Sequence, residues 1–289
     1  PSPFRDLPNY ETIRLDGLSY EYARNILPSD LDEDSALKVT KSLGGHPLAL
    51  HLWSPEEEIP EKIEAVQEYV KSTVLKRLSE EGLETLDELC LSPIPLNYDE
   101  LFYPSGTSEL DNSAILRWFG DELETHHLIR NVRRNNYSLE SSYALNSKMA
   151  KKWAKREGYR AKRLEAHFRL KSGQDLDSEW LIANLSEIIN QDSAAAAIIA
   201  DQAIEICDNS LLREMASDIA LERGETEIAD LHIRVLPGGP RKKLRQARLA
   251  RIKGNYNLAE DLDSQAMEEL DPVQRIKHEI STLVRLYDD

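Results

Sequence analysis

The stretch Leu43-Gly44-Gly45-His46-Pro47-Leu48-Ala49-Leu50 joins two helical patterns and decides how the N-terminal part of the chain folds. Glycine takes the left-handed conformation at little cost, so the glycine pair predicts the end of one helix. Proline is favoured at the first position of a helix, where its missing N–H would be unpaired in any case. The sequence therefore predicts a helix–turn–helix junction, with the apolar residues after Pro47 starting a buried helix.

Short helical patterns flank this junction on both sides. Residues 10–18 predict a strand and a turn, and two helices follow over residues 20–27 and 32–43. Pro28 stops the first of these helices, because proline cannot continue one. A further short helix is predicted over residues 48–53. The N-terminal region is thus expected to be a small helical subdomain.

The next region has the element order of a winged-helix domain. A stripe of apolar residues at helical spacing predicts a helix over residues 60–80, and further helices follow, the last over 113–124. The stripe consists of Ile63, Val66, Val70, Val74 and Leu78. Residues 128–130 and 137–139 have the character of two short strands, with a polar turn at 133–136 between them. Three helices followed by a hairpin predict a winged helix.

From Asn146 onward the pattern is helical throughout, and it contains an internal repeat. The phrase Ala220-Leu-Glu-Arg-Gly224-Glu-Thr-Glu-Ile-Ala229 is similar to Ala250-Arg-Ile-Lys-Gly254-Asn-Tyr-Asn-Leu-Ala259, and residues 167–173 form a more degenerate third copy. Glycines 30 residues apart (254 minus 224) are closer than the ~34 of a tetratricopeptide repeat, but the pattern is of that kind. Residues 237–240, Pro-Gly-Gly-Pro, are expected to break the array between the two better copies.

With these parts in this order, the chain resembles the C-terminal part of a STAND-class ATPase, one of the AAA+-related signal-transducing NTPases. That class includes the NB-ARC proteins and bacterial and archaeal regulators. The resemblance rests on the phrase Ile13-Arg-Leu-Asp-Gly-Leu-Ser-Tyr-Glu-Tyr-Ala23 and on Gly45-His46-Pro47-Leu48-Ala49-Leu50, which is similar to the Gly-x-Pro-Leu-Ala-Leu motif that ends the lid of the family. It implies a mainly α fold: a small helical lid (1–57), a winged-helix domain with a short β-hairpin (58–156), and a TPR-like α-solenoid (157–289).

The resemblance also implies a nucleotide contact at the lid junction. In the family the proline of the motif lies against the base and ribose of the nucleotide, which selects Pro47, with His46 and Gly45 beside it. Backbone N–H groups at a helix N-terminus favour a nearby anion, which is compatible with this role. The family's winged helix often carries a histidine after the second wing strand that reaches the β-phosphate. On the predicted strands that position is held by Glu140, a carboxylate that would repel phosphate.

The chain lacks the phosphate-binding loop that an ATPase needs. No glycine in the sequence is followed by lysine, so the Gly-x-x-x-x-Gly-Lys-Ser/Thr motif is missing. We therefore expect no enzymatic activity from these residues alone and no tight nucleotide binding. Under the family resemblance, the chain is a segment of a longer ATPase whose P-loop core lies upstream of Pro1, and ATP or ADP is bound by that full-length protein.

Composition limits the partners of the chain. With 52 Asp and Glu against 36 Lys and Arg, the net charge is −16, a field that repels nucleic acids and suits a halophilic source. No segment approaches the roughly 20 apolar residues of a membrane span, so a cytoplasmic protein is expected. The two cysteines, Cys90 and Cys207, predict buried reduced thiols. The array is expected to bind a protein or a small ligand, and self-association into a homo-oligomer is left open.

Two other functions are compatible with the same residues. A winged-helix transcription regulator would meet DNA phosphates through Arg130, Arg133 and Arg134, although acidic residues nearby oppose this. A protein-interaction scaffold would show no nucleotide effect at all. The pair His126-His127 beside two glutamates has the residue types of a metal site but not the ligand spacing. The basic run from Arg241 to Arg251 is expected to be solvated or paired with acidic neighbours, and binding of an acidic partner is the alternative.

Overall fold

The computed structural model describes residues 17–55, 71, 75–113, 115–174, 176–276 and 280. The strand predicted at 10–18, most of the helix predicted at 60–80, and the lid boundary at residue 57 lie outside this part of the chain. Internal contacts divide the protein into two compact units, Pro1–Ser138 and Leu139–Asp289.

The first unit contains the lid helices and a winged helix. Its helices are α1 (Tyr20–Ala23), α2 (Glu33–Ser42), α3 (Pro47–Leu52), α4 (Leu75–Arg77), α5 (Glu80–Leu91), α6 (Thr107–Asn112) and α7 (His127–Asn135). Its strands are β1 (Leu96–Asn97), β2 (Leu116–Phe119) and β3 (Glu122–Thr125). Helix α2 begins where Asp32 accepts a hydrogen bond from the backbone N–H of Ser35, and α5 begins in the same way at Ser79.

The three strands form an antiparallel sheet in the order β1-β3-β2. Leu96 pairs with Leu123, and Phe119 pairs with Glu122 across a two-residue turn. The first turn residue, Gly120, has φ +64°, a conformation that such hairpin turns require. Leu123 is fully buried against the domain core, so the sheet is anchored by its central strand.

The winged helix is confirmed, but the position predicted for its hairpin is wrong. Residues 113–124, predicted as a helix, contain β2 and most of β3, whereas residues 128–130, predicted as a strand, lie inside α7. The segment 137–139 holds no strand, and Leu139 begins the first helix of the second unit. The Gly-Asp turn decides this outcome, because it reverses the chain within two residues and pairs the flanking segments.

The second unit is an array of antiparallel helices, called here the helical array. It contains α8 (Leu139–Trp153), α9 (Tyr159–Leu170), α10 (Ser178–Gln191), α11 (Ser193–Ile206), α12 (Ser210–Glu222), α13 (Thr226–Val235), α14 (Pro240–Ile252) and α15 (Tyr256–Glu269). Helix α8, which the sequence assigns to the winged-helix domain, packs on α9 within this unit. The core of the array is built from small and aliphatic side chains, many of them alanines.

The two predicted repeat copies form matching helical pairs, α12–α13 and α14–α15. In each pair a glycine with positive φ ends the first helix, Gly224 at +73° and Gly254 at +79°. The alanine five residues later, Ala229 or Ala259, is fully buried where the helices meet. The prediction of TPR-like repeats is therefore confirmed.

The expected break in the array at residues 237–240 is not found. Gly239 is the N-cap of α14 and Pro240 its first residue, so the four residues form a short connection between helices. Leu249 of α14 then packs with Ala229 and Ile233 of α13 in one buried cluster. The array is continuous across this point. In the described part of the chain, no helix combines the length and apolar character that crossing a membrane requires.

Candidate functional site

The glycine turn at the lid junction has the conformation that the sequence predicts. Gly44 and Gly45 have φ of +61° and +64°, and the Gly45 N–H donates to the Thr40 carbonyl at 2.8 Å, closing the end of α2. His46 then caps α3, and its carbonyl accepts from the Leu50 N–H at 3.0 Å. The turn therefore holds the start of α3 in a fixed position.

The turn is also in direct contact with the segment that precedes α1. The Leu18 N–H donates to the Gly45 carbonyl at 2.8 Å. A Cβ at Gly17 would come within 1.7 Å of the Gly44 carbonyl oxygen, and a Cβ at Gly45 within 2.3 Å of the Leu18 carbonyl oxygen. Two backbone segments thus approach each other at a distance that only glycine permits.

The side chains of His46 and Pro47 lie at the start of α3. Nδ1 of His46 accepts from the Ala49 N–H at 3.4 Å, so in the neutral ring the proton is on Nε2. Pro47 occupies the first helical position and is exposed to solvent. The junction therefore presents an apolar ring and an imidazole N–H donor next to each other.

A second histidine caps the helix that follows the hairpin. His126 comes directly after β3, and its Nδ1 accepts from the Leu128 N–H at 3.3 Å at the start of α7. The His126 N–H donates to the Ile115 carbonyl at 3.0 Å, which ties this position to the hairpin. The ring of His127 lies 4.5 Å from that of His126, centroid to centroid. His126 therefore has the same capping arrangement as His46.

The lid histidine and the winged-helix histidines influence one another electrostatically. Burial lowers the pKa of His46, and positive charge on His127 lowers it further. Burial also lowers the pKa of His126, with His127, Arg117 and His46 acting in the same direction and Glu124 opposing them. Both effects favour the neutral form of His46 and of His126. The fold brings together residues that are 80 positions apart (126 minus 46) in the sequence.

Glu140 does not lie directly after the second wing strand, which is the position that the sequence pattern predicts for it. It lies in the first turn of α8, in the second unit, and follows no strand. The residue that directly follows the second wing strand is His126. The sequence pattern does not point to this residue, because it predicts the hairpin too far downstream. The signal that identifies it is the Gly120-Asp121 turn, since that turn ends β2 and sets the end of β3.

The three arginines considered for DNA contact bind groups within their own domain. Arg133 makes a bidentate pair with Asp87, at 2.6 and 3.0 Å, and Arg134 Nε donates to the Cys90 carbonyl at 2.6 Å. Arg130 lies 3.5 Å from Glu124. All three are on helix α7 rather than on a wing turn. The side chains of Arg130 and Arg133 are 20% and 22% exposed, and Arg134 is exposed. The prediction that residues 133–136 form a turn between two wing strands is wrong, because they lie in and directly after α7. DNA contact by the three arginines stays a prediction, and in this structure their guanidinium groups attach α7 to α5 and β3.

The described residues give little support for a metal site or for a reactive thiol. In the described ranges, His, Cys, Asp and Glu side chains do not gather in any group of three or more that could hold a metal ion. Cys90 is fully buried, and burial raises the pKa of its thiol to about 12. Cys207 is half-buried and its pKa is also raised by burial. Both thiols are therefore protonated and weak as nucleophiles.

The basic run on α14 is paired with carboxylates on its two neighbours. Towards α12, Arg245 lies 3.2 Å from Glu214 and 2.6 Å from Asp218. Towards α15, Lys243 lies 2.6 Å from Glu269. Arg241, Arg248 and Arg251 make further pairs of the same kind. The expectation that this face is paired rather than free is thus met.

Comparison with known proteins adds one solved structure. No protein-family model matches the sequence, and no curated protein matches it. The structure is similar to that of a Signal Transduction ATPase with Numerous Domains (STAND) protein with a tetratricopeptide repeat sensor from Pyrococcus horikoshii, with a TM-score of 0.51 and 20% identity. The match covers 88% of this chain but 42% of that protein, so the chain spans less than half of its length. This likeness supports the fold assigned above: lid, winged helix and TPR-like array.

Proposed function

We propose that this chain is the regulatory region of a STAND-type ATPase, whose P-loop core is supplied by residues outside the chain. In this proposal the first unit contacts the nucleotide, and the helical array binds a protein or small ligand. Ligand binding would shift the first unit between an ADP-bound closed state and an ATP-bound open state, as a change in populations. The protein of similar fold is described as an ATPase with a repeat sensor, which supports this division of roles.

The observation that carries the proposal is the electrostatic influence of His46 on His126, which indicates that the lid junction lies near the start of α7. Both histidines cap helices through Nδ1, which leaves each Nε2–H as a donor for an anion. His126 follows the second wing strand directly, the position from which the family's histidine reaches the β-phosphate. Pro47 is exposed next to His46 and offers an apolar surface for a base or ribose. The geometry therefore supports nucleotide contact by Pro47, His46 and His126, with Gly45 shaping the turn.

Nucleotide retention by the full-length parent protein tests this proposal. We expect His126→Ala to raise the Kd for ADP by roughly tenfold or more, the usual scale for losing a hydrogen bond to a charged ligand. Glu140→Ala is the matched control and should leave the Kd unchanged, since that residue lies outside the first unit. Unchanged ADP affinity in both variants would contradict the proposed contact. Residues 1–289 alone should show no ATP turnover.

The DNA-binding alternative makes a different prediction. A winged-helix regulator would bind duplex DNA in a way that weakens steeply with salt. Two contacts within the domain oppose DNA binding: Arg133 pairs with Asp87, and Arg134 donates to the Cys90 carbonyl. A DNA phosphate would have to displace these partners. A gel shift that depends on Arg133 and Arg134 would favour this alternative.

A further inference from the structure

Helix α13 carries a stripe of large apolar side chains on its solvent side. Ile228, Leu231 and Val235 are 40%, 63% and 60% exposed. Their i, i+3, i+7 spacing keeps them within about 60° of the helix circumference. The buried side of the same helix is formed by Ala229 and Ile233. The stripe therefore faces away from the core of the helical array.

Helix α11 widens this stripe into a surface that spans two helices. Oδ1 of Asp201 on α11 lies 3.1 Å from Nε2 of His232 on α13, so the two helices run side by side at this level. Ile198 lies about one turn before Asp201 and is 59% exposed. We call this surface the outer apolar patch, and it consists of Ile198, Ile228, Leu231 and Val235. Several exposed apolar side chains on two helices that meet mark an interaction surface more often than single exposed residues do.

The charges on the two helices are mainly negative. Helix α11 carries Asp201 and Glu205 and neither lysine nor arginine, and α13 carries Glu227 and Asp230 against Arg234. Arg234 pairs with Asp230 on the same helix, so it does not offset the other carboxylates. Glu205 and Glu227 are exposed. One cation of α14 lies at the Val235 end of the stripe, where Nζ of Lys242 donates to the carbonyls of Arg234 and Leu236 at 2.7 and 2.9 Å. Four carboxylates thus stand against two cations around the outer apolar patch, and the excess negative charge favours a cationic partner.

This field distinguishes between two occupants of the patch. In a symmetric contact with a second copy, the same carboxylates of both chains would face one another, and like charges facing each other across an interface oppose association. A basic partner would instead place its cations against them. We propose that the outer apolar patch binds an amphipathic helix of a partner protein whose apolar side is flanked by lysine or arginine. Such helices dock through residues at i, i+3, i+4 and i+7, the spacing that the α13 stripe itself displays.

A synthetic peptide can test this proposal directly. The probe is a labelled helix about four turns long with leucine along one side and lysine along the other. A second peptide keeps the leucines and replaces lysine with glutamate. We expect the lysine peptide to bind residues 1–289 in fluorescence anisotropy and the glutamate peptide to bind at least about tenfold more weakly. Equal binding of the two peptides would overturn the proposal.

Matched variants locate the binding surface. Replacing both Ile228 and Leu231 with Gln should weaken binding about tenfold or more, the scale expected when large apolar contacts are removed. Ile252→Gln alters a similarly exposed apolar residue on α14 and should leave affinity unchanged. If both variants lose affinity for the peptide, or if neither does, the peptide binds elsewhere on the acidic surface and the proposal is wrong. If the double variant instead converts a dimer of the chain to a monomer in sedimentation, the patch is a self-association surface and the proposal is wrong.

Discussion

At the scale of single residues, Gly45 combines two requirements that can be separated by mutation. Its φ of +64° disfavours any side chain, and a Cβ would also collide with the Leu18 carbonyl oxygen at 2.3 Å. We expect Gly45→Ala to destabilise the first unit by about 3 kcal/mol or more, since the left-handed conformation costs an alanine about 1–2 kcal/mol and the collision adds to it. Hydrogen exchange of the α2 amides would measure this loss.

Gly120 provides the control for this measurement. It has the same φ of +64° and lies in the same unit, but a Cβ there would meet nothing within 4 Å. Gly120→Ala should therefore show only the conformational cost of about 1–2 kcal/mol. If the two variants lose equal stability, the close approach of the two backbone segments contributes nothing, contrary to our interpretation of the turn.

The capping histidines predict how stability depends on pH. The pKa values of His46 and His126 are lowered in the folded protein, so the unfolded chain takes up protons first as the pH falls. The first unit should keep its full stability above the unfolded pKa of 6.5 and lose stability as the pH falls below it. Melting temperatures measured between about pH 7.5 and 5.5 should therefore fall.

Substitution of the two histidines by asparagine separates the effect of histidine titration from the effect of helix capping. Asn also caps helices but does not titrate in this range, so the double variant His46→Asn, His126→Asn should show a flatter pH profile with similar stability at pH 7.5. A double variant with the original slope would show that other groups cause the acid sensitivity.

At the scale of elements, the sequence predicts the helix ends and turns that depend on local residue chemistry. It fails for the hairpin, which depends on the pairing of two segments. The glycine junction, the caps and the repeat glycines depend on backbone conformations that the residue types reveal directly. Residues 113–124 carry apolar side chains that also fit a helix, so their pattern conceals the hairpin unless Gly120-Asp121 is recognised as a turn. Because the wing is predicted too far downstream, Glu140 takes the position after the second wing strand in the prediction. His126, which holds that position in the structure, is not predicted there.

The sequence indicates that the basic residues of α14 form ion pairs with acidic neighbours, but it does not show which carboxylates they contact. A run of six basic residues predicts partners of opposite charge, whereas their identity depends on how helices distant in sequence pack. Glu214 and Asp218 on α12 reach Arg245, a side chain only 15% exposed, so this pair is shielded from solvent more than the others. The buried cluster here includes a single residue of α14, Leu249. Ion pairs therefore add to this apolar contact in attaching α14 to α12.

We expect Glu214→Gln to loosen the last helical pair. Removing one carboxylate from a mostly buried arginine should cost about 1–3 kcal/mol, seen as faster hydrogen exchange in α14 and α15. Asp208→Asn removes a carboxylate that is 81% exposed and pairs with Arg213 at 2.9 Å, and it should cost no more than about 0.5 kcal/mol. Equal exchange in both variants would show that the α14 pairs are no stronger than ordinary surface pairs.

At the scale of the whole molecule, excess negative charge acts against these local attractions. The net charge of −16 produces self-repulsion in the compact state, which added salt screens. The same screening weakens the exposed ion pairs on α14. Salt should therefore stabilise the chain as a whole while it increases hydrogen exchange in α14 and α15 relative to the preceding helices of the array.

Thermal melting with increasing NaCl measures the first of these effects. We expect the melting temperature to rise by several degrees between about 0.05 and 0.5 M, because the Debye length falls from about 14 to about 4 Å over this range. Replacing the exposed residues Glu260, Asp261 and Glu268 on α15 with their amides lowers the net charge from −16 to −13, three carboxylates fewer, and should reduce this rise. A melting temperature that falls with salt would mean that the folded chain gains more from its ion pairs than it loses to its excess charge. In that case the acidic surface would not be an adaptation to high salt.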